Sequence, residues 1–257
     1  GNPVWGGYLT NASLNTFATY TAVGHPIGMF YGWKIDKTNY SNGIWHEQDR
    51  ETLVLKPVPS EYTTPGDFIF MDLNGDNKID ENDKTYIGNP NPDFMYSLNM
   101  AFRYSGFELT LFFQGVNGND IFNVQRYDFY GYHGSNNAVQ GLIENSYTTE
   151  NQNAPYPRLT NTIDYNRNYR ISDFYIENGS YLRLRNLQLA YTFPKKVTGK
   201  LRLGSLKAYI GGYNLITITG YSGFDPEIGN ESNTFMGIDR GSYPQARTFM
   251  AGIIMDI

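Results

Sequence analysis

The chain has 257 residues, of which 16% are aromatic and only 18% charged, and its formal net charge is -5 at pH 7. The negative charge gives no electrostatic basis for binding nucleic acid, so that class of partner is excluded. Because the sequence contains no cysteine, disulfides, zinc–thiolate sites and thiol nucleophiles are excluded as well.

The first segment, residues 1–66, is rich in Gly, Asn, Thr and aromatic residues, and its one compact apolar piece reads GHPIGMFYGWKID. This composition predicts loops with one or two short strands. Neither this segment nor the rest of the chain contains a run of about 18 apolar residues, which excludes a transmembrane helix. Membrane-spanning strands stay possible, because each needs only about 9–11 residues with one apolar side.

The second segment, residues 67–93, contains an acidic loop, DLNGDNKID, that continues to an acidic residue at position 83. Ca²⁺ takes 6–8 oxygen ligands, and a loop of about 12 residues supplies them at positions 1, 3, 5, 7, 9 and 12. Here these positions are occupied by Asp72, Asn74, Asp76, Lys78 through its backbone carbonyl, Asp80 and Asp83.

Three further residues bear on the calcium interpretation of this loop. Ile79 is the apolar residue at the eighth position that would anchor the loop in a core. Asn77 stands where calcium loops usually have glycine, and asparagine tolerates the positive φ required there. Asp83 is shorter than the usual glutamate at position 12. The sequence predicts a structural Ca²⁺ site, and the alternative is a surface turn rich in Asp and Asn.

The third segment, residues 94–257, shows the period-two alternation of strands. From Phe94 to Tyr104 the even positions are apolar, and Ser105 and Gly106 predict a tight hairpin to a return strand with Phe107 on the same face. Further alternating strands read YLRLRNLQLAYTF, SLKAYIGGYN and ARTFMAGIIMDI. The opposite face of these strands carries small and polar side chains, at Ser97, Asn99, Arg103, Asn186 and Gln188.

Two interpretations of these strands remain open at this point. Long polar connections, residues 117–170 and 221–245, alternate with short turns, which is the loop asymmetry of an outer-membrane barrel. In such a barrel the apolar faces contact lipid and the polar faces contact an aqueous interior. Alternation is equally typical of a soluble β-sandwich, in which one face packs on a second sheet.

No catalytic constellation emerges from the sequence. His25, His46 and His133 lack metal-ligand spacing, and nothing fixes the separation of a carboxylate pair such as Glu47 and Asp49 for glycoside hydrolysis. Aromatic residues in the loops are candidates for stacking on sugar rings or for packing; they are Trp45, Tyr127, Phe129, Tyr130 and Tyr132. We therefore expect the chain not to be an enzyme.

Several long stretches, in order, resemble the C-terminal part of SusC/RagA-type TonB-dependent outer-membrane transporters. They read GHPIGMFYGWKID, PGDFIFMDLNGDNKIDENDKTYIGNPNPDFMYSLNMAFRYSGFELTLFFQGVNGNDIFN, YIENGSYLRLRNLQLAYTFP, LKAYIGGYNLITITGYSGFDPEIG and GIDRGSYPQARTFMAGI. The resemblance covers nearly the whole chain from about Gly24 onward. One departure is the ending in Ile257, where outer-membrane strands that guide assembly usually end in an aromatic residue.

The resemblance implies an all-β fold, namely an antiparallel transmembrane β-barrel segment that forms the last strands of a barrel of about 22 strands, with long extracellular loops. It implies an outer-membrane importer of oligosaccharides or peptides, driven by TonB through an N-terminal part that is missing here and capped by a SusD-like surface lipoprotein. Residues 1–66 and 67–93 would be extracellular, and residues 94–257 would hold the strands in contact with the lipid bilayer. The alternative function is a soluble calcium-dependent carbohydrate-binding β-sandwich module.

Overall fold

The computed structural model describes residues 2–11, 14–130, 139–160, 168–229 and 232–257. The chain forms two compact units, each assembled from separate stretches of sequence. One comprises residues 1–91, 120–177 and 228–242, and the other residues 92–119, 178–227 and 243–257. The units are therefore discontinuous, whereas the sequence prediction divides the chain into consecutive segments, and the extracellular placement of those segments stays a prediction.

The first unit contains a four-stranded antiparallel sheet in the order β1-β2-β3-β4. The strands are β1 (Val4–Asn11), β2 (Leu14–Thr21), β3 (Met29–Gly32) and β4 (Thr85–Gly88). Residues 1–66 thus hold three strands, one more than the most that the sequence predicts. The sequence does not reveal β1, because Gly6 and Gly7 interrupt the alternation of apolar and polar residues. Gly7 adopts a φ of 62°.

The first unit also contains a smaller, three-stranded sheet, in which two strands pair in parallel and one strand is followed by a short helix. Its strands β7 (Asp120–Asn123), β8 (Ile176–Asn178) and β11 (Ile238–Asp239) lie in the order β11-β7-β8, and β11 pairs with β7 in parallel. Helix α1 (Val124–Tyr130) follows β7 directly. The apolar core beneath includes Phe30, Phe122, Tyr127 and Tyr175.

The second unit is one five-stranded antiparallel sheet in the order β12-β10-β9-β6-β5. Its strands are β5 (Phe94–Tyr104), β6 (Phe107–Asn117), β9 (Tyr181–Thr192), β10 (Ser205–Thr219) and β12 (Thr248–Asp256). The predicted hairpin is confirmed, since Tyr104 pairs with Phe107 and the turn residues Ser105 and Gly106 have φ values of 48° and 88°. Positive φ at both positions matches the right-handed twist of the flanking strands.

The connections of this sheet are short at one end and long at the other. The turn at Ser105 and Gly106 and the link of residues 193–204, which holds helix α2 (Lys195–Thr198), leave from one end. Residues 118–180 and 220–247 leave from the opposite end. Neither described helix, of seven and four residues, is long and apolar enough to cross a membrane.

The all-β, antiparallel prediction therefore describes the two larger sheets, with the parallel β7–β11 pair as the exception.

Candidate functional site

One face of the five-stranded sheet is apolar across all of its strands and open on its outer side. Cross-strand register places Phe102, Leu109, Leu189, Ile210 and Ala251 in one row across the sheet. Phe102 is 57% exposed and Ile210 58% exposed. Other large apolar residues of these strands that are exposed in the same way are Phe94, Tyr96, Leu98, Phe107, Ile216, Ile218, Phe249, Ile253 and Met255.

Apolar patches larger than a few hundred Å² are rare on soluble monomers and mark contact with a partner or a membrane. Among the described residues, the apolar row is not buried as the inner face of a sandwich would be.

The opposite face of the sheet carries the polar residues that the alternation predicts. Ser97 lies opposite Gln114, and Asn99 opposite Phe112. Phe112 is one of several apolar residues on this side, with Met95 opposite Val116 and Ile254 opposite Lys207. Asn186 also pairs with Phe112, and Gln188 pairs with Thr110. At the short-turn end, Glu108 forms ion pairs with Arg103 at 2.9 Å and with Lys207 at 2.7 Å. The polar and charged residues of the sheet thus lie mainly on one side, and the other side is apolar.

The sequence pattern missed a partly buried cluster of charges on the polar face, which we call the ion network: Arg183, Arg185, Asp225 and Glu227. Arg183 is 1% exposed; its guanidinium donates to Asp225 at 2.5 Å and to Glu227 at 2.8 Å. Arg185 donates to the other oxygen of Glu227.

Two further contacts tie the ion network to neighbouring strands. The Arg183 Nε–H donates to the Thr217 hydroxyl of β10 at 2.9 Å, and the Arg185 Nε–H donates to the Gln114 side chain of β6 at 3.0 Å. The network therefore fastens the segment after β10 onto the polar face of the sheet.

A β-bulge puts both arginines on the polar face. The register shifts between Phe112 and Phe113 of β6, opposite Asn186 and Leu184, so that Arg185 is the extra residue of β9. An extra residue reverses the alternation of a strand. Before the bulge the apolar side holds Leu182 and Leu184, and after it Leu187 and Leu189. The signal was present in the sequence as the spacing L-x-L-x-x-L-x-L.

The carboxyl group of Asp225 is buried, yet its pKa lies below the usual value. Burial alone would raise the pKa of Asp225, yet the backbone N–H groups of Gln245 and Glu227 and the guanidinium of Arg183 together hold this pKa below its usual value. The stabilisation that this carboxylate contributes is therefore present above the pKa of an unfolded Asp, about 3.9, and is lost as the pH falls through its lowered pKa.

Two features of the acidic loop match what the sequence predicts for it. Asn77 has a φ of 62°, in the left-handed region required at the glycine position. Ile79 is buried and packs in a core cluster with Trp33, Ile35 and Phe70. Both of these predictions about the loop are confirmed.

The predicted ligand side chains mostly accept hydrogen bonds from the backbone of their own loop. Asp72 accepts from the N–H of Gly75 at 2.7 Å and from that of Asn77 at 2.8 Å. Asp83 is fully buried and accepts from the N–H groups of Leu73 and Asp80.

Asp76 likewise accepts from the N–H of Lys78, Asp80 from that of Asn82, and Asn74 from that of Asp76. In the part of the chain that the structure describes, no three His, Cys, Asp or Glu side chains form a group that could hold a metal ion.

The other residues considered from the sequence have structural roles where they are described. Glu47 is ion-paired with Arg50, and Asp49 accepts from the backbone N–H of His46. Trp45 and Tyr127 are buried in two different core clusters. Tyr132 and His133, and the side chains of Phe129 and Tyr130, lie outside the described residues.

The sequence of the chain is similar to those of known receptors. No protein-family model matches the chain. It is 36% identical over 238 residues to TonB-dependent receptor P3 of Formosa agariphila, a match that covers 90% of this chain and 22% of the receptor. It is 30% identical over 204 residues to TonB-dependent receptor SusC of Bacteroides thetaiotaomicron, which covers 78% of this chain and 18% of SusC.

The fold also matches solved structures. The structure of the RagAB peptide transporter aligns with a TM-score of 0.69 at 22% identity, over 95% of this chain and 24% of the solved chain. The RagAB peptide importer in its closed-closed state aligns with a TM-score of 0.65 at 21% identity. At this identity the likeness shows the fold alone.

A two-faced antiparallel sheet with long loops at one end, and relatives of this kind over most of its length, define a segment of an outer-membrane receptor. The chain belongs to the SusC/RagA type of TonB-dependent receptors and spans 22% and 18% of the length of the two curated relatives above. The predicted family and outer-membrane location are confirmed, and so is the expectation that the chain is not an enzyme.

Proposed function

We propose that the chain forms part of the wall and the loops of an outer-membrane importer that takes up nutrients, either oligosaccharides or peptides. The single observation that carries this proposal is the exposed apolar face of the five-stranded sheet. Strands of 11, 11, 12, 15 and 9 residues are long enough to cross the hydrocarbon core obliquely. In lipid, the apolar face would contact acyl chains and the polar face a water-filled interior.

The edges of the sheet support its membership of a closed barrel of about 22 strands. Within the described residues, β5 and β12 each pair on one side only. In hydrocarbon, each backbone N–H or C=O group that an unpaired strand edge leaves without a hydrogen bond costs several kcal/mol. This is about the cost of burying any amide group without a hydrogen-bond partner. Further strands of the whole receptor would therefore pair with both edges.

The relatives support the substrate and partners that we propose. The solved structures are of RagAB, a peptide transporter, and the resemblance to SusC/RagA-type transporters implies oligosaccharide or peptide as the substrate class. We propose a SusD-like lipoprotein lid over the long-loop end of the sheet, and energy input from TonB through a part of the receptor outside this chain.

The import proposal is tested by measuring whether the whole receptor needs detergent or lipid to stay monodisperse. We expect the receptor that carries this chain to stay monodisperse only in detergent or lipid, because its apolar sheet faces need a hydrocarbon environment. Size-exclusion chromatography with and without detergent measures this. A receptor that stays monodisperse in plain buffer would favour the soluble carbohydrate-binding alternative.

We also propose that the acidic loop binds Ca²⁺ as a structural ion. The left-handed Asn77 and the buried Ile79 support the proposal. Each carboxylate has about four lone-pair positions, so oxygens that accept one N–H can still coordinate a cation. The present side-chain arrangement does not converge on a common point, so binding requires the carboxylates to turn inward.

Replacing Asp76 tests the calcium proposal. We expect Asp76→Ala to lower Ca²⁺ affinity at least tenfold, since one charged ligand is lost, and to loosen residues 64–87. Titration calorimetry measures the affinity, and hydrogen exchange measures the loosening. Lys78→Ala is the matched control, because position 78 would contribute only its backbone carbonyl. Equal affinity in Asp76→Ala and the parent would leave the loop as a polar turn.

A further inference from the structure

A short segment that ends with β11 lies against the β1–β2 pair in the first unit; it comprises residues 232–239, and we call it the strap. The hydroxyl of Thr19 in β2 is fully buried and donates to the Thr234 carbonyl at 2.8 Å. Further along the strap, the Phe122 N–H of β7 donates to the Gly237 carbonyl at 2.8 Å. The strap therefore joins β2 to β7.

Two glycines of the first sheet leave room for the backbone of the strap. A Cβ atom at Gly6 of β1 would lie 2.6 Å from the Thr234 carbonyl oxygen, and one at Gly28, just before β3, would lie 2.8 Å from the Asn233 carbonyl oxygen. Cβ atoms essentially never approach another heavy atom closer than 3.0 Å. The sheet thus accepts the strap at these positions because neither residue carries a side chain.

The strap covers the side of the sheet that faces the core of the first unit. Register places Gly6, Thr19 and Phe30 in one row across β1, β2 and β3. Ile238 of the strap is buried and packs in one apolar cluster with Phe30 and Phe122. The β1–β2 pair is therefore fastened to the core partly through the strap, which comes from a distant part of the sequence.

The opposite side of the same strands carries a partly exposed row of aromatic rings, which we call the aromatic strip: Trp5, Tyr20, Tyr31 and Tyr86. The ring centroids of Trp5 and Tyr20 are 4.6 Å apart, those of Tyr20 and Tyr31 4.8 Å, and those of Tyr31 and Tyr86 5.3 Å. Trp5 and Gly6 are neighbours in β1, so their side chains point to opposite sides of the sheet. Among the described residues β1 pairs with β2 alone, so the position of Trp5 depends on what holds this pair.

The strap pairs with its neighbours over a short distance. Its parallel pairing with β7 extends over two residues, Ile238 and Asp239. Segments with little backbone pairing open locally at a free-energy cost well below that of global unfolding. The strap can therefore leave its position while the rest of the first unit stays folded.

We propose that the strap is a releasable fastening for β1 and β2. While it is in place, the strap holds the β1–β2 pair on the core and keeps the aromatic strip in a fixed position. When it leaves, β1 and β2 detach and the strip loses that position. Tyr and Trp surfaces of this kind are typical of contact sites, so the strap controls whether such a surface is presented in ordered form. This inference goes beyond the import proposal and does not depend on it.

Hydrogen exchange of the intact receptor in detergent, measured by mass spectrometry, tests the strap. In the parent we expect residues 232–239 to exchange together with residues 16–21, and both to exchange faster than β9. Gly6→Ala should speed exchange in both segments at least tenfold, because the added methyl displaces the Thr234 carbonyl while the φ of Gly6 lies outside the left-handed region. Gly220→Ala is the matched control, because a Cβ atom there meets nothing within 4 Å.

A second variant disturbs the strap away from β1 and β2. The atoms nearest to a Cβ atom at Gly237 belong to Pro90, Asp120 and Phe30, none of which lies in either strand. We expect Gly237→Ala to speed exchange in residues 16–21 all the same, because the strap holds these residues in place.

Thr19→Val is a milder variant, which keeps the shape of the side chain and removes the donor to the strap. It should speed exchange of residues 232–239 about fivefold, as expected for one lost hydrogen bond, and Thr19→Ser, which keeps the hydroxyl, should stay closer to the parent. Unchanged exchange in both Gly6→Ala and Thr19→Val would overturn the proposal. So would a Gly237→Ala receptor in which the strap exchanges faster while β1 and β2 stay protected, or variants in which β9 loses protection to the same extent.

Discussion

Leu98→Lys should destabilise the receptor by about 2–4 kcal/mol, the cost of a cation on the lipid face of a membrane strand near the bilayer midplane. Leu98 is the fifth residue of β5, lies on the apolar face and is 54% exposed. In water an exposed lysine at such a position would cost almost nothing, so the effect depends on the surrounding solvent being hydrocarbon. Reversible urea unfolding in lipid or detergent measures it.

Asn99→Lys is the matched control, because Asn99 is the next residue of the same strand and lies on the polar face. We expect a change within about 1 kcal/mol there, as a lysine in an aqueous interior stays hydrated. If the two variants lose the same stability, or if Asn99→Lys loses more, the apolar face does not contact lipid.

Arg183→Met should cost about 3–5 kcal/mol, because it leaves the buried carboxylate of Asp225 without its counter-charge. The affected segment is residues 220–227, which the ion network holds on the polar face of the sheet. We expect faster hydrogen exchange and earlier proteolysis in that segment together with the loss in unfolding free energy.

Arg103→Met provides the comparison for the ion network. The Arg103 side chain is 76% exposed in its ion pair with Glu108, and exposed pairs contribute about 0–1 kcal/mol. The double variant Arg183→Met with Asp225→Asn should recover part of the loss, since the unpaired charge is then gone. A loss below about 1 kcal/mol in Arg183→Met would mean that the network carries little energy.

The strands of the sheet could be predicted because the alternation of apolar and polar residues within each strand shows which of its sides is apolar. Alternation from Phe94 to Tyr104 and the Ser105–Gly106 turn specify β5, β6 and their register without reference to the rest of the chain. The same is true of Asn77 and Ile79, whose conformation and burial follow from their position within one loop.

The ion network was not predictable in the same way, because its partners come from distant parts of the sequence. Arg183 and Asp225 are 42 residues apart and meet only once β9 and β10 have paired. The spacing of the leucines in β9 shows a break around Arg185. Only the register with β6 shows that this break is a β-bulge.

Contact between the apolar face of the five-stranded sheet and hydrocarbon can be measured in the receptor in lipid bilayers. Nitroxide labels are placed at Ile210 and Ile253 on that face, and at Asn99 and Gln188 on the polar face. Electron paramagnetic resonance then compares collision with oxygen, which concentrates in hydrocarbon, and with a water-soluble nickel chelate. We expect the first pair of labels to collide mainly with oxygen and the second mainly with the chelate. Shielding of the Ile210 and Ile253 labels from both reagents, as in a protein core, would mean that this face does not contact lipid.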